Sequence, residues 1–244
     1  MMPSVPHPAR RGPRGAAALL VAALLAACAS RAPAPQTPTP PPEAGDAEEA
    51  GRAAFLLGPM VGHTTDESAS FWVKADRPGT LSAIVVDERG ESRRGEAALA
   101  GDGIGVVTVE DLSAATPYTV RFQLDGVPVE ADPPVAFRTF PDDDDPAVFT
   151  IALVSCARVP WDSIQPIWRA LDADRPDVVL WLGDNGYLEH ADSLNPADYS
   201  DPARMESRYA EIKALPAVQG VLRHAPNYAI WDDRDYGWSD SDRL

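Results

Sequence analysis

Cysteine is scarce in this chain. Cys28 and Cys156 are the only two in 244 residues, so no disulfide framework can organise the fold. Positive charge is short as well. With 21 basic against 37 acidic residues the formal net charge is −16, the wrong sign for a nucleic-acid binder and an ordinary one for a soluble or cation-binding protein. Long apolar runs are also missing. The stretch from Ala16 to Ala27 is too short to span a bilayer, and no run of spanning length follows it, so the chain beyond Cys28 is expected to be soluble.

That apolar stretch is an address. Arg10-Arg11-Gly12-Pro13-Arg14 precedes it, and Leu25-Ala26-Ala27-Cys28 closes it with small residues ending on cysteine. The layout is that of a secretory signal with a lipobox, a signal peptide over 1–27 with Cys28 acylated as the mature N-terminus. The Arg pair hints at twin-arginine export, but the residues usual around such a pair are absent. The expected location is outside the cytoplasm, anchored to a membrane by lipid on the periplasmic side or the cell surface. Losing Arg10, Arg11 and Arg14 with the signal leaves 18 basic residues against the 37 acids. Cys156 then stands alone in an oxidising compartment as a buried hydrophobe, a reactive thiol or a metal ligand.

Residues 28–54 are dominated by Pro, Ala, Thr and acids, and read as a disordered tether. From 55 to 140 the pattern is short strands. Ala69–Lys74, Thr80–Val86, Gly105–Val109 and the alternating Tyr118–Leu124 are β-rich, and Asp125-Gly126 supplies a hairpin turn. A small β-sandwich of immunoglobulin or fibronectin type is the expected fold of this part. His63 is isolated there and reads as structural or surface.

The acids Asp142 to Asp145 mark a solvated linker, with calcium capture as the less economical alternative. From 146 to 244 the pattern changes to α/β. Val148–Val154, Asp177–Leu182 and Tyr228–Trp231 read as buried parallel strands. Between them Ile164, Ile167, Trp168 and Leu171 fall at helical spacing. Asp201-Pro202 opens a second helix with Met205, Tyr209 and Ile212 on one face. Strand, helix, strand, helix, strand begins a layered α/β domain.

Chemistry-bearing residues follow each of the three runs. They are Ser155-Cys156-Ala157-Arg158, then Gly183-Asp184-Asn185-Gly186-Tyr187, then Asp232-Asp233-Arg234-Asp235. Ligands bind at the carboxyl ends of strands in open α/β sheets. One Asp after a strand is usually a turn or cap, and one Cys is usually core. Three such ends together are a different matter. A carboxylate can bridge two metals, and a nearby phenol ionises at a strongly Lewis-acidic ion although a free phenol loses its proton only near pH 10. Cys156, Asp184 and Tyr187 therefore suggest ferric iron more than zinc.

From Val148 to Asp242 the chain resembles the alkaline phosphatase D family of calcineurin-like metallophosphoesterases. The carrying motifs are Ser155-Cys156, Trp181-Leu182-Gly183-Asp184-Asn185-Gly186-Tyr187 and Trp231-Asp232-Asp233-Arg234-Asp235-Tyr236-Gly237-Trp238-Ser239-Asp240. Gly58–Thr64 and Phe137-Arg138-Thr139 resemble that family's N-terminal sandwich. The resemblance implies a ferric ion with calcium or another divalent partner, and two-metal hydrolysis of phosphate mono- or diesters with no covalent enzyme intermediate. By position it implies Cys156 and Tyr187 on iron, Asp184 bridging, Asp233 as a further metal ligand, and Asn185 and Arg234 as catalytic. Family members commonly carry His where Arg234 stands, and arginine can bind phosphate but not donate a proton near neutral pH. The family's remaining metal-binding histidines lie further downstream than Leu244. His190 and His224 sit in no matching motif, so the α/β part is expected to be incomplete and weakly active or inactive. The rival expectation is a non-catalytic surface binding protein whose working part is the sandwich.

Overall fold

The computed structural model describes residues 53–158, 165–187 and 202–235. The expected signal, Cys28 and nearly all of the tether lie outside these residues, as do Ile164, His190, Asp201 and the residues from Tyr236 onward. No helix among the described residues is long and apolar enough to cross a membrane.

The first part is all β: β1 (Phe55–Thr64), β2 (Ala69–Ala75), β3 (Thr80–Asp87), β4 (Ser92–Ala98), β5 (Ile104–Val109), β6 (Pro117–Leu124), β7 (Val127–Val129) and β8 (Val135–Arg138). One antiparallel sheet has the order β1-β2-β5. The other runs β4-β3-β6-β7, with β8 also paired to β6. Alternation selects the inner faces: Ala69, Phe71, Val73 and Ala75 of β2 and Tyr118, Val120, Phe122 and Leu124 of β6 are all buried. Phe71 meets Phe122 and Phe137 edge-on at 5.8 and 5.4 Å. The Tyr118 hydroxyl accepts from the Ser113 N–H at 2.9 Å, the pattern of the tyrosine corner of immunoglobulin-like sandwiches. Asp125 and Gly126 both have positive φ, 52° and 80°, as the tight β6–β7 hairpin requires. Ala53 is buried in this core, so packing begins inside the stretch read from sequence as tether.

The second part holds β9 (Ile151–Val154), α1 (Ile167–Asp174), β10 (Val178–Leu182), α2 (Pro202–Lys213), α3 (Pro216–His224) and β11 (Asn227–Ile230), then a 3₁₀ turn, Asp233–Asp235. β10 lies between β9 and β11, and both pairings are parallel. Trp168, Val179, Trp181, Ile212, Val218, Val221 and Leu222 form its core, with Trp168 stacked on Trp181 at 5.2 Å.

Among the described residues helices cover one face of this sheet, and the strands are not buried on both sides as expected. Ala152, Val179 and Trp181 point to the helices and are buried, whereas Ile151, Leu153, Leu182 and Ile230 on the opposite parity are exposed. The first run shrinks to four residues, and Val148 is 98% exposed. Ile167 opens α1 and is exposed; the helix packs through Trp168 and Leu171. Trp231, beyond β11, is 79% exposed.

Helix α3 fastens the two parts together. The buried Arg223 donates through Nη2 to the Gly58 carbonyl at 2.7 Å and through Nη1 to the Pro133 carbonyl at 3.0 Å. Asn227 Nδ2 donates to the Val61 carbonyl at 3.4 Å, and Met60 of β1 packs against the second core. His63 is exposed, with Nδ1 3.3 Å from the Tyr228 hydroxyl at this same junction.

Candidate metal centre

The carboxyl ends of β9, β10 and β11 lie side by side, so the three loops that follow them converge. The Ala157 N–H donates to the Asp184 carbonyl at 3.3 Å, tying the first loop to the second. Gly183, at φ +93°, ties the second to the third, because a Cβ there would stand 2.5 Å from Asp232 Cβ. Only glycine tolerates both that conformation and that approach. Cys156 and Asp184 are also left-handed, at φ 60° and 53°. For non-glycine residues this costs on the order of 1–3 kcal/mol each, strain that gathers where function does.

Asp184 is the focus. Its Oδ2 accepts from the Tyr187 hydroxyl at 2.9 Å and from the Cys156 thiol at 3.6 Å. Its Oδ1 is buried with no hydrogen-bond partner among the described residues. Asp184, Asp232 and Asp233 each present a carboxylate oxygen within 4.8 Å of the others. A buried, unsatisfied carboxylate oxygen beside two more carboxylates offers a place for a cation. A thiol on the same carboxylate adds a softer donor to that set, and a phenol adds a further hard oxygen.

The structure thus gathers Cys156, Asp184, Tyr187 and Asp233 around one point, and adds Asp232. Cys156 is exposed, which removes the buried-hydrophobe alternative. Its Sγ accepts from Ser155 Oγ at 3.1 Å. Arg158 and Arg234 both lie over the Tyr187 ring, their guanidinium carbons 4.9 and 5.8 Å from its centroid. Arg234 is therefore beside the centre, and Arg158 is a second cation there that its motif held without a role. Burial, and then the acceptors Cys156 and Asp184, raise the Tyr187 pKa well above the ordinary phenol range. Its ionisation therefore needs a cation on its oxygen, not only over its ring.

The structure gives Asn185 a structural role and places His224, which sits in no matching motif, away from the centre. Asn185 is 3% exposed, and its Nδ2 donates to the Ile230 carbonyl at 2.8 Å and to Asp235 Oδ2 at 3.2 Å. That side chain binds loop to loop. His224 is buried at the end of α3, ahead of β11 and so at the amino ends of the strands, with Nδ1 3.0 Å from Asp172 Oδ1. It cannot complete a centre built at their carboxyl ends.

Behind the loops, α2 presents Tyr209 and Lys213. The Tyr209 hydroxyl donates to Asp235 Oδ1 at 2.9 Å. Lys213 Nζ lies 3.5 Å from the centroid of the Trp181 ring, and burial pushes its pKa down to about 8 against the opposing pull of Asp235. Its folded pKa is thus below the unfolded value, so the cost of burying Lys213 is full below pH 8 and fades as pH rises to about 10.4. Lys213→Met should stabilise the protein by about 2 kcal/mol at pH 7 and remove that pH dependence, as read from urea melts at pH 7 and 10.

Residues 52–141 match a family described as a domain of unknown function, DUF7800. No curated protein sequence matches the chain. Among solved structures the chain is similar to PhoD, with TM-score 0.59 and 17% identity over 74% of this chain and 39% of that one. At that identity the likeness shows the fold alone, and this chain spans about two fifths of PhoD's length. A purple acid phosphatase from yellow lupin seeds is more distant, with TM-score 0.49 and 10% identity over 72% of this chain and 34% of that one. A fibronectin domain of human collagen XX aligns with TM-score 0.29 and 15% identity over 36% of this chain and 93% of that one.

Proposed function

We propose that this chain carries the strand-end metal-binding loops of an exported phosphoesterase that cleaves phosphate mono- or diesters with two metal ions. The observation that supports the reading most is the buried, unpartnered Asp184 Oδ1 within 4.8 Å of two further carboxylates, at the strand ends of a PhoD-like fold. Cys156 and Tyr187 would hold a ferric ion, Asp184 would be shared, and Asp232 and Asp233 would serve a divalent partner such as calcium. Bound ions would neutralise phosphoryl oxygens and provide a nucleophilic water at neutral pH. Arg158 and Arg234 would bind the non-bridging oxygens of the ester through their fork of donors. The layered α/β domain of such an enzyme needs a second cover on the face that carries Ile151, Leu153, Leu182 and Ile230.

The ligand role of Tyr187 has a direct test. Taking up an ion through its oxygen expels the proton that its setting holds. Affinity should then climb about tenfold per pH unit for each proton released. Tyr187→Phe should lower the number of protons released by one, read from ferric affinity between pH 6 and 8. An unchanged slope would remove Tyr187 from the ligand set.

We further propose export and lipid attachment at Cys28, motivated by Leu25-Ala26-Ala27-Cys28. Cys28→Ser should move the protein from the membrane fraction to the soluble one; unchanged partitioning would sink the assignment.

A further inference from the structure

Three carboxylates within 4.8 Å of one another repel, so something must hold Asp184 against Asp232 and Asp233 before any cation arrives. The candidate is Asp235, 2% exposed and outside the ligand set. Its Oδ1 accepts from the backbone N–H groups of Asn185 and Gly186 at 2.7 and 3.0 Å and from the Tyr209 hydroxyl at 2.9 Å. Its Oδ2 accepts from Asn185 Nδ2 at 3.2 Å and from the Asp232 N–H at 3.0 Å. One buried carboxylate therefore grips the residue after Asp184, the backbone of Asp232 and helix α2 together. Without it the N–H groups of Asn185, Gly186 and Asp232 would lose their acceptor, whereas Asn185 Nδ2 and the Tyr209 hydroxyl would keep the Ile230 and Asp235 carbonyls, at 2.8 and 3.3 Å.

We infer that Asp235 is the positioning residue of the metal centre, a carboxylate that binds no metal itself and preorganises Asp184 against Asp232 and Asp233. The inference rests on the metal reading for its purpose, but its geometry does not. An acceptor-only group is required at this point, because all five of its partners are donors. An amide would turn one oxygen into a donor facing two or three other donors. Asp235→Asn should therefore let the second and third loops part while keeping size and shape.

The test uses the full chain and two readouts. The first is the affinity for Mn²⁺ alone, measured by calorimetry. Asp235→Asn should weaken it at least about tenfold, the size expected when the support of a ligand is lost. Tyr209→Phe, which removes one of the five donors, should weaken it two- to fivefold by the same reasoning. Ile212→Val, in the α2 core, should lower the melting temperature and leave affinity unchanged, separating positioning from general stability. The second readout is amide hydrogen exchange in metal-free protein. Asn185, Gly186 and Asp232 should lose protection together in Asp235→Asn, with β2 and β6 unaffected. Unchanged affinity, or unchanged exchange at those three amides, overturns the inference. If the unaltered chain binds no Mn²⁺, the metal reading itself fails, and exchange alone decides whether Asp235 holds the loops.

Discussion

Asp184→Asn is expected to weaken metal binding by on the order of a hundredfold or more, beyond the range that outer-shell substitutions reach. Its Oδ2 is where Tyr187 and Cys156 meet, at 2.9 and 3.6 Å, and its Oδ1 is the buried oxygen without a partner. The substitution takes charge from both at once. Without a cation, like charge on Asp184, Asp232 and Asp233 repels, to an extent set by how far water screens it. Two results should follow. An ion at a hundred times its dissociation constant should stabilise the unaltered chain by about 2.7 kcal/mol, or roughly 5–10 °C in melting temperature. In the metal-free state Asp184→Asn should instead melt no lower than the parent, because it relieves repulsion. Thermal melts with and without ion check both. A variant that kept the full metal-induced shift would remove Asp184 from the centre.

Much of this was legible in the residues, for stated reasons. The strands β2, β3, β5 and β6 were readable because alternation and β-branched content agree, and Asp125-Gly126 marked the β6–β7 turn because both positions need positive φ. Convergence of the three loops was readable because parallel strands place their carboxyl ends together. Helix α3 was not. Val218, Val221 and Leu222 do keep a helical spacing, but the element has only nine residues and Gly220 lowers its helical propensity. A Cβ there would meet the Asp172 carboxylate at 2.6 Å, the end of a side chain that can turn aside. The bare sheet face was hidden for a different reason. An apolar run signals strands meant for burial on both sides, but not which face the described helices leave open. The structural work of Asn185 and Asp235 was invisible too, because their partners are mostly backbone N–H groups and carbonyls supplied by distant loops.

Given both metals, the chain is expected to hydrolyse p-nitrophenyl phosphate far more slowly than about 1 per second, the low end of ordinary enzyme turnover. Two-metal hydrolysis needs each ion held by several ligands with a position open for substrate. The described residues offer Cys156, Asp184, Tyr187, Asp232 and Asp233, and one of these must be shared. No imidazole among them reaches the centre. His224 is buried at the amino ends of the strands, and His63 is exposed beside Tyr228 at the sandwich junction. Arg234 stands over Tyr187, where it can bind a phosphoryl oxygen but cannot protonate a leaving group near neutral pH. Among the described residues nothing covers the sheet face that carries Ile151, Leu153, Leu182 and Ile230. Binding should thus be detectable where turnover is not: a melting shift with metal, and a phosphate-dependent further shift that Arg158→Ala or Arg234→Ala reduces. Turnover at 1 per second or above would contradict this, and would direct the search for the completing ligand to His190.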